Sequence, residues 1–174
     1  MFSHVFTRRQ QAPVLKQESC DALLPRFRRI VVPALGAHFT RRSLRTAVRM
    51  SMNCGDAEVR LVYFMEVPRA YSLSAPLPGE EAFADDVLTT GLKFIQSLGR
   101  NAATEVSRGR DPVEALLRYV EQHDVTLLVL GARADTVRAI PVEIARDLYD
   151  RAPCPVILDY TPGDLSVTGE AVPF

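Results

Sequence analysis

Short apolar runs alternate with amphipathic segments from residue 27 to residue 160. Most of these runs are uniformly apolar and rich in β-branched residues, which is typical of strands buried on both faces. They lie at residues 30–33, 61–65, 103–107, 127–130 and 155–158. The intervening segments carry apolar residues at spacings of three and four, which predicts four helices. The pattern predicts a single soluble α/β domain in three α/β/α layers, built on a five-stranded parallel sheet.

Two of the predicted helices begin with recognisable capping residues. Thr40 precedes the first helix and can act as its N-cap. Asp111 can cap the third helix, and Pro112 suits its first position. Glu114, three residues after Asp111, can complete a capping box. These signals fix two helix starts from local sequence alone.

Three segments show neither a helix nor a strand period. Two of them flank the domain, which spans residues 27–160. Residues 1–26 are interpreted as a mobile basic N-terminal tail and residues 161–174 as a C-terminal tail. Residues 66–80 hold three prolines and are predicted to form a long loop. That loop is suited either to a lid or to part of a partner surface, and the sequence does not decide between them.

Charge and cysteine usage exclude several classes of protein. The chain has 21 basic and 21 acidic residues, so its net charge is zero, which argues against nucleic-acid binding. It contains no apolar stretch long enough to span a membrane and no secretory signal, so a cytoplasmic location without membrane attachment is expected. Its three cysteines lack metal-ligand spacing and are expected to be free thiols, with no metal site. Their positions are Cys20, Cys54 and Cys154.

A basic face is predicted on the first helix, where Arg41, Arg45 and Arg49 recur at a spacing of four beside Arg42. It is interpreted either as a solvated helix face or as a docking strip for an acidic partner. One candidate for that partner is an acidic stretch in a neighbouring molecule. The stretch comprises Glu80, Glu81, Asp85 and Asp86.

Four short segments occur in a characteristic order and spacing. They read IVVP from Ile30, RGRDP from Arg108, LLVLGAR from Leu127 and APCPV from Ala152. Together they resemble the universal stress protein family over roughly residues 27 to 160. The resemblance implies an adenine-nucleotide-alpha-hydrolase-like, Rossmann-like fold with strand order 3-2-1-4-5. Strands one and four would then be neighbours where the strand order reverses, which is where such sheets bind ligands.

The resemblance also shows where this chain departs from the family's ATP-binding members. Those members have an acidic residue at the end of strand one and a G-x2-G-x9-G-[ST] loop after strand four. Ala34 stands at the acidic position, and Gly131 retains the first glycine of the loop. A glutamate in the loop also places negative charge near the phosphate position. The chain is therefore expected not to bind ATP in the family manner. The replaced loop positions are Ala134, Val142 and Glu143.

The crevice at the ends of strands one and four is the predicted site for any ligand. Arg133 and Arg138 could bind a nucleotide or another small anion, or could instead be solvated and paired with Asp135 or Glu143. His38 is the imidazole nearest this crevice, and no nucleophile with an adjacent base can be identified. No catalytic residue and no enzymatic activity are therefore predicted. The candidate ligand-binding residues are Ala34, Leu35, Gly36, Phe64, Gly131, Ala132, Arg133 and Arg138.

The expected function is that of a dimeric protein in stress response or regulation, acting through contacts with an unidentified protein partner. An apolar strand at a sheet edge favours pairing with another chain. The resemblance implies a homodimer formed through the last strand, which contains Val156, Ile157 and Leu158. No cofactor is expected, and the alternative is a sensor that binds a nucleotide or small anion in the crevice.

Overall fold

The computed structural model describes residues 27–35, 39–52, 54–133 and 140–161. This part of the chain holds five strands and four helices in strict alternation. The strands are β1 (Arg29–Leu35), β2 (Glu58–Glu66), β3 (Ala103–Gly109), β4 (Leu127–Arg133) and β5 (Val156–Thr161). The helices are α1 (Arg41–Met52), α2 (Pro78–Ser97), α3 (Pro112–Gln122) and α4 (Val142–Arg151).

The five strands form one parallel sheet in the order β3-β2-β1-β4-β5. Ile30 of β1 pairs with Val59 of β2 on one side and with Leu127 of β4 on the other. The predicted fold class and strand order are confirmed. β1 and β4 are therefore neighbours at the reversal of strand order, and β3 and β5 are the edge strands.

The core lies in two layers, one on each face of the sheet. α1 and α2 cover the face that receives Ile30, Val32 and Ala34 from β1. α3 and α4 cover the opposite face, which receives Val31. Strands covered on both faces need apolar residues at successive positions, which explains the uniformly apolar runs in the sequence.

Both predicted helix caps are present, but the predicted capping box is not. The Ser43 amide donates to the Thr40 hydroxyl at 3.0 Å. Asp111 accepts from the amides of Val113 and Glu114 at 2.8 and 3.1 Å. The Glu114 carboxylate is bound 2.5 Å from Arg151 of α4 instead of returning to the helix start. The box prediction was wrong because a cation from another helix supplies a stronger, charge-assisted partner.

Several element boundaries differ from the sequence prediction. α2 begins at Pro78, inside the segment predicted as loop, because proline is favoured at a first helical position. β3 continues to Gly109 and β5 to Thr161. The loop between β2 and α2 is therefore residues 67–77. The tails predicted at 1–26 and 161–174 lie outside the described residues, except for Thr161, which ends β5. Within the described residues, no helix is long and apolar enough to cross a membrane.

Candidate functional site

The candidate site is the crevice above the carboxyl ends of β1 and β4. β1 ends at Leu35, and α1 begins at Arg41 directly beyond it. On the β4 side, the Ile140 amide donates to the Gly131 carbonyl at 3.3 Å, which returns the chain to the strand end. This is the predicted position of the site, and parallel α/β sheets place their ligands in such a crevice.

The end of β1 presents apolar side chains to both helix layers. Ala34 is fully buried and packs in the cluster beneath α1 and α2. Leu35 is half-buried and packs against the cluster on the other face. A carboxylate at position 34 would be enclosed in the core, so the structure points to Leu35 as the β1 position that reaches the crevice. The side chains of both residues lack the hydrogen-bonding atoms that a carboxylate would offer to a nucleoside.

Gly131 lies where β4 passes closest to the start of α1. A Cβ atom on Gly131 would be 2.6 Å from the Thr40 hydroxyl and 2.9 Å from the Ser43 hydroxyl. These two hydroxyls belong to the α1 cap, since Ser43 Oγ also donates to the Thr40 carbonyl at 2.8 Å. The absence of a side chain at Gly131 therefore has a packing reason that needs no ligand.

Phe64 lies in the core below α3 instead of lining the crevice. Its side chain is 1% exposed, and its ring meets Tyr119 edge-on with centroids 5.7 Å apart. Although Phe64 is in register with Leu35, its ring is enclosed by the cluster on the α3 and α4 face. It therefore contributes packing and no ligand surface.

The start of α4 is the part of the rewritten loop that the structure describes. Val142 and Glu143 begin this helix after Pro141, which supplies no side-chain cap. Glu143 is exposed in the first turn, where its negative charge interacts favourably with the helix dipole. The same charge disfavours a phosphate at this helix start.

Several predicted site residues lie outside the described residues. Gly36, His38, Ala134, Asp135 and Arg138 are among them. Ala132 and Arg133 are placed as the last backbone positions of β4, in register with residues 160 and 161 of β5. Of the predicted site residues that the structure describes, Leu35 and Gly131 lie at the strand ends that border the crevice, and Ala34 lies in the core beneath it.

Asp159 is a nearly buried carboxylate next to the crevice that the sequence prediction missed. It lies on β5 in register with Gly131 and is 8% exposed. Arg42 Nε lies 2.5 Å from one of its oxygens, and the Thr46 hydroxyl donates to the other at 2.8 Å. Its charge is thus neutralised by α1. A carboxylate directly after the apolar run 155–158 is the one local sign of this site. The partner Arg42 is 117 residues away in the sequence, so the pairing itself has no local signal.

The two described cysteines are free thiols with raised pKa values. The hydrogen bond from Cys54 to Asp56, at 2.7 Å, raises the pKa of the Cys54 thiol. Burial raises the pKa of Cys154. A raised thiol pKa lowers the thiolate fraction at neutral pH, so neither side chain is an activated nucleophile. No group of three potential metal ligands occurs within the described residues.

The loop at residues 67–77 is held by two arginines from the end of β3. Arg110 donates to the carbonyls of Val67 and Tyr71 at 3.0 and 2.8 Å, and to that of Pro68. Arg108 donates to the carbonyls of residues 73 and 75 and pairs with Glu81 of α2. These contacts fix the backbone of the loop against the sheet.

Replacing Arg110 with alanine is expected to release the first half of this loop. The variant loses three charge-assisted hydrogen bonds to carbonyls, although the exposed carbonyls can then bind water. Amide hydrogen exchange around Pro68 to Tyr71 should accelerate about tenfold, equivalent to roughly 1.4 kcal/mol of local opening free energy. Arg69→Ala, on the same loop, is the control. Equal exchange rates in wild type and Arg110→Ala would contradict this role.

A second concavity, of about 310 Å³, lies between β3 and α3 at the sheet edge. Its polar wall is a connected group in which Tyr119 donates to Glu105 at 2.7 Å and His123 stacks on Tyr119 at 3.9 Å. Burial, followed by the Glu105 hydrogen bond, raises the pKa of Tyr119. Tyr119 is therefore a neutral hydrogen-bond donor, and no local sequence pattern indicates this concavity.

The family of this chain is established by comparing its sequence with a model of a protein family. The model of the universal stress protein family matches residues 26–158. The chain belongs to the universal stress protein family. The match includes all of β1 through β4 and the first half of β5, so it reaches every strand of the sheet.

Solved universal stress proteins share this fold at low sequence identity. One universal stress protein, solved in complex with cAMP, is 16% identical to this chain and superposes with a TM-score of 0.56. The aligned region covers 79% of this chain and 99% of that protein. A protein from Archaeoglobus fulgidus in complex with dAMP is 20% identical with a TM-score of 0.57, covering 77% and 98%. An Arabidopsis thaliana family protein with AMP bound is 14% identical with a TM-score of 0.55, covering 81% and 97%. A comparison with curated proteins gives no match.

Proposed function

We propose that this family member is a non-catalytic, dimeric cytoplasmic protein that acts through protein contacts in stress response or regulation. In this proposal it does not bind ATP in the manner of the family's nucleotide-binding members. The supporting observation is the apolar end of β1, where Ala34 is buried and the side chain of Leu35 has no polar atom. A nucleoside at this position would have no side-chain hydrogen-bond partner from these two residues, which disfavours binding.

The charge at the start of α4 supports the same proposal. Helix starts bind phosphates when clustered amides face the anion without competing negative charge. Here Glu143 brings a carboxylate into the first turn, and Pro141 has no amide hydrogen to donate. Phosphate binding would therefore have to overcome repulsion at the point where the fold ordinarily assists it.

The proposed homodimer forms through β5. Val156, Ile157 and Leu158 lie on this edge strand and are only partly buried in the isolated chain. Edge strands have backbone groups available for pairing with another strand, and apolar side chains add buried area to that contact. An antiparallel β5–β5 contact would extend the sheet across two copies.

Thermal unfolding in the presence of Mg-ATP tests the absence of family-style binding. We expect the unfolding free energy to be unchanged by millimolar Mg-ATP. A ligand at 100 times its dissociation constant would add about 2.7 kcal/mol. Stabilisation of that size by Mg-ATP would overturn the proposal.

The alternative function is a sensor that binds a nucleotide or small anion in the crevice. It is favoured by the solved relatives, which were crystallised with cAMP, dAMP and AMP. Stabilisation by AMP or cAMP but not by Mg-ATP would support it. In that case Arg133→Ala/Arg138→Ala should abolish the stabilisation, and an unchanged effect would place the ligand elsewhere.

A further inference from the structure

The helix layer formed by α1 and α2 carries charged side chains, and the structure separates those with partners from those without. Arg42 pairs with Asp159, and Glu81 pairs with Arg108. Arg41 lies over the ring of Phe94, 5.5 Å from its centroid. These residues have roles within the chain, so the predicted basic strip and acidic stretch are both smaller than the sequence suggested.

A basic patch remains on α1, defined by Arg45, Arg49 and Met52. The two arginines are exposed and form no ion pair with any other described residue. Met52 is 56% exposed at the end of the helix. The spacing of four and three residues places all three on one helix face.

An acidic patch remains on α2, defined by Phe83 and Asp86, which share a helix face because they are three residues apart, and by Asp85, which lies next to Asp86 on the adjoining face. Both aspartates are exposed and also have no ion-pair partner among the described residues. Phe83 is 44% exposed, although one edge of its ring meets Tyr63. Each patch therefore combines unpaired charge of one sign with one exposed large apolar side chain.

The two patches lie at opposite ends of the same layer. Arg41 lies over Phe94, and Arg100 donates to the Ser51 carbonyl at 3.0 Å, so α1 runs beside the C-terminal part of α2. Asp85 is nine residues before Phe94, about 13 Å along the helix, and Arg49 lies about 12 Å beyond Arg41 in the other direction. The patches of one chain therefore cannot neutralise each other.

We propose that this layer is an interface for a second copy of this chain. The outer faces of the two layers meet across a two-fold axis that lies in the plane between them, perpendicular to the helices. This axis places the basic patch of each copy against the acidic patch of the other. The contact is then formed twice, as in other isologous interfaces. Met52 packs against Phe83 of the second copy, a favourable sulfur–aromatic contact between two otherwise exposed side chains. The interface is on the helix layer and is separate from the β5 edge of the proposed dimer.

Salt dependence provides the first test, by sedimentation equilibrium of the full chain. Raising sodium chloride from 0.1 to 1 M shortens the Debye length from about 10 to about 3 Å. The association constant of the layer contact should fall by about tenfold or more, whereas apolar β5 pairing should persist. Assembly that is unaffected by salt would overturn this inference alone. A monomer at every salt concentration would overturn both this contact and the proposed β5 dimer.

Reciprocal charge reversal provides the decisive test. Arg45→Glu/Arg49→Glu makes both patches acidic, and Asp85→Lys/Asp86→Lys makes both basic. Each variant alone should lose the salt-sensitive association, and an equimolar mixture should regain it because both contacts become complementary. The variant with all four changes should also associate with itself. Failure of the mixture to associate would overturn the proposal.

The matched control applies the same charge change to the opposite layer. Arg118 and Arg146 are exposed on α3 and α4. Arg118→Glu/Arg146→Glu alters net charge as much as Arg45→Glu/Arg49→Glu but should leave the association intact. An equal loss in this control would show an effect of overall charge and would contradict the proposed interface. Circular dichroism of every variant checks that the helices are retained.

Discussion

Aspartate in place of Ala34 should destabilise the fold by about 3–5 kcal/mol, because it encloses an unpaired carboxylate in the core. Ala34 has no exposed surface and packs in the cluster beneath α1 and α2. Burial also raises the pKa of such a carboxylate above its value of about 4 in the unfolded chain. The destabilisation should therefore shrink as pH falls through that raised pKa and be smallest near pH 4. Urea unfolding at pH 7 and pH 4 measures both effects.

Leu35→Asp is the matched control, one residue further along β1. Leu35 is only half-buried, so an aspartate there can keep part of its hydration. We expect a smaller loss, about 1–2 kcal/mol, which reflects the apolar contact removed. An Ala34→Asp variant as stable as Leu35→Asp would contradict the assignment of residue 34 to the core and of residue 35 to the crevice.

Valine in place of Gly91 is the second change with a large expected effect. Gly91 lies in α2, where a Cβ atom would be 2.3 Å from Leu61 Cδ2 and 2.9 Å from Phe39 Cζ. Leu61 is fully buried in β2, so its side chain has little room to move. We expect a loss of about 3 kcal/mol from overpacking, measured by chemical denaturation.

Gly79, in the first turn of the same helix, provides the control for Gly91. A Cβ atom at Gly79 would have no neighbour within 4 Å. Gly79→Val should change stability by no more than about 0.5 kcal/mol, since an exposed position adds no steric contact. Equal losses at residues 79 and 91 would show that the contact with Leu61 is not responsible, and helix propensity would not explain them either, because valine is a better helix former than glycine.

The strands were predictable because their chemistry is local. A run such as Ile30 to Pro33 must be apolar at successive positions when helices cover both faces of a sheet. The same uniformity hides which face each side chain occupies. The sequence therefore could not show that Ala34 faces α1 and α2 while Leu35 packs on the other side. The strand order, in turn, came from the family resemblance and not from periodicity.

The long-range polar contacts were not predictable from the sequence. Arg42 belongs to the predicted basic face, for which the sequence leaves open a solvated surface or a docking strip, yet it pairs with Asp159 of β5. Likewise, Arg108 and Arg110 gave no local signal that they would hold the loop at residues 67–77. Such partners are set by the register of strands and helices far apart in the chain.

The structure refines the expectation about ATP without changing its direction. On the β1 side, the proposed absence of ATP binding rests on the half-buried Leu35 together with the enclosed Ala34. On the loop side, it rests on Glu143 in the first turn of α4. The first feature removes a side-chain contact to the nucleoside, and the second repels the phosphates. Together they predict weak binding of any nucleoside triphosphate.

Analysis of the small molecules released from the purified protein tests this central claim most directly. The full chain is purified from its cells without added nucleotide, denatured, and its soluble fraction quantified by chromatography and mass spectrometry. We expect adenine nucleotides far below one per chain. Recovery of ATP or ADP in stoichiometric amount would contradict the account.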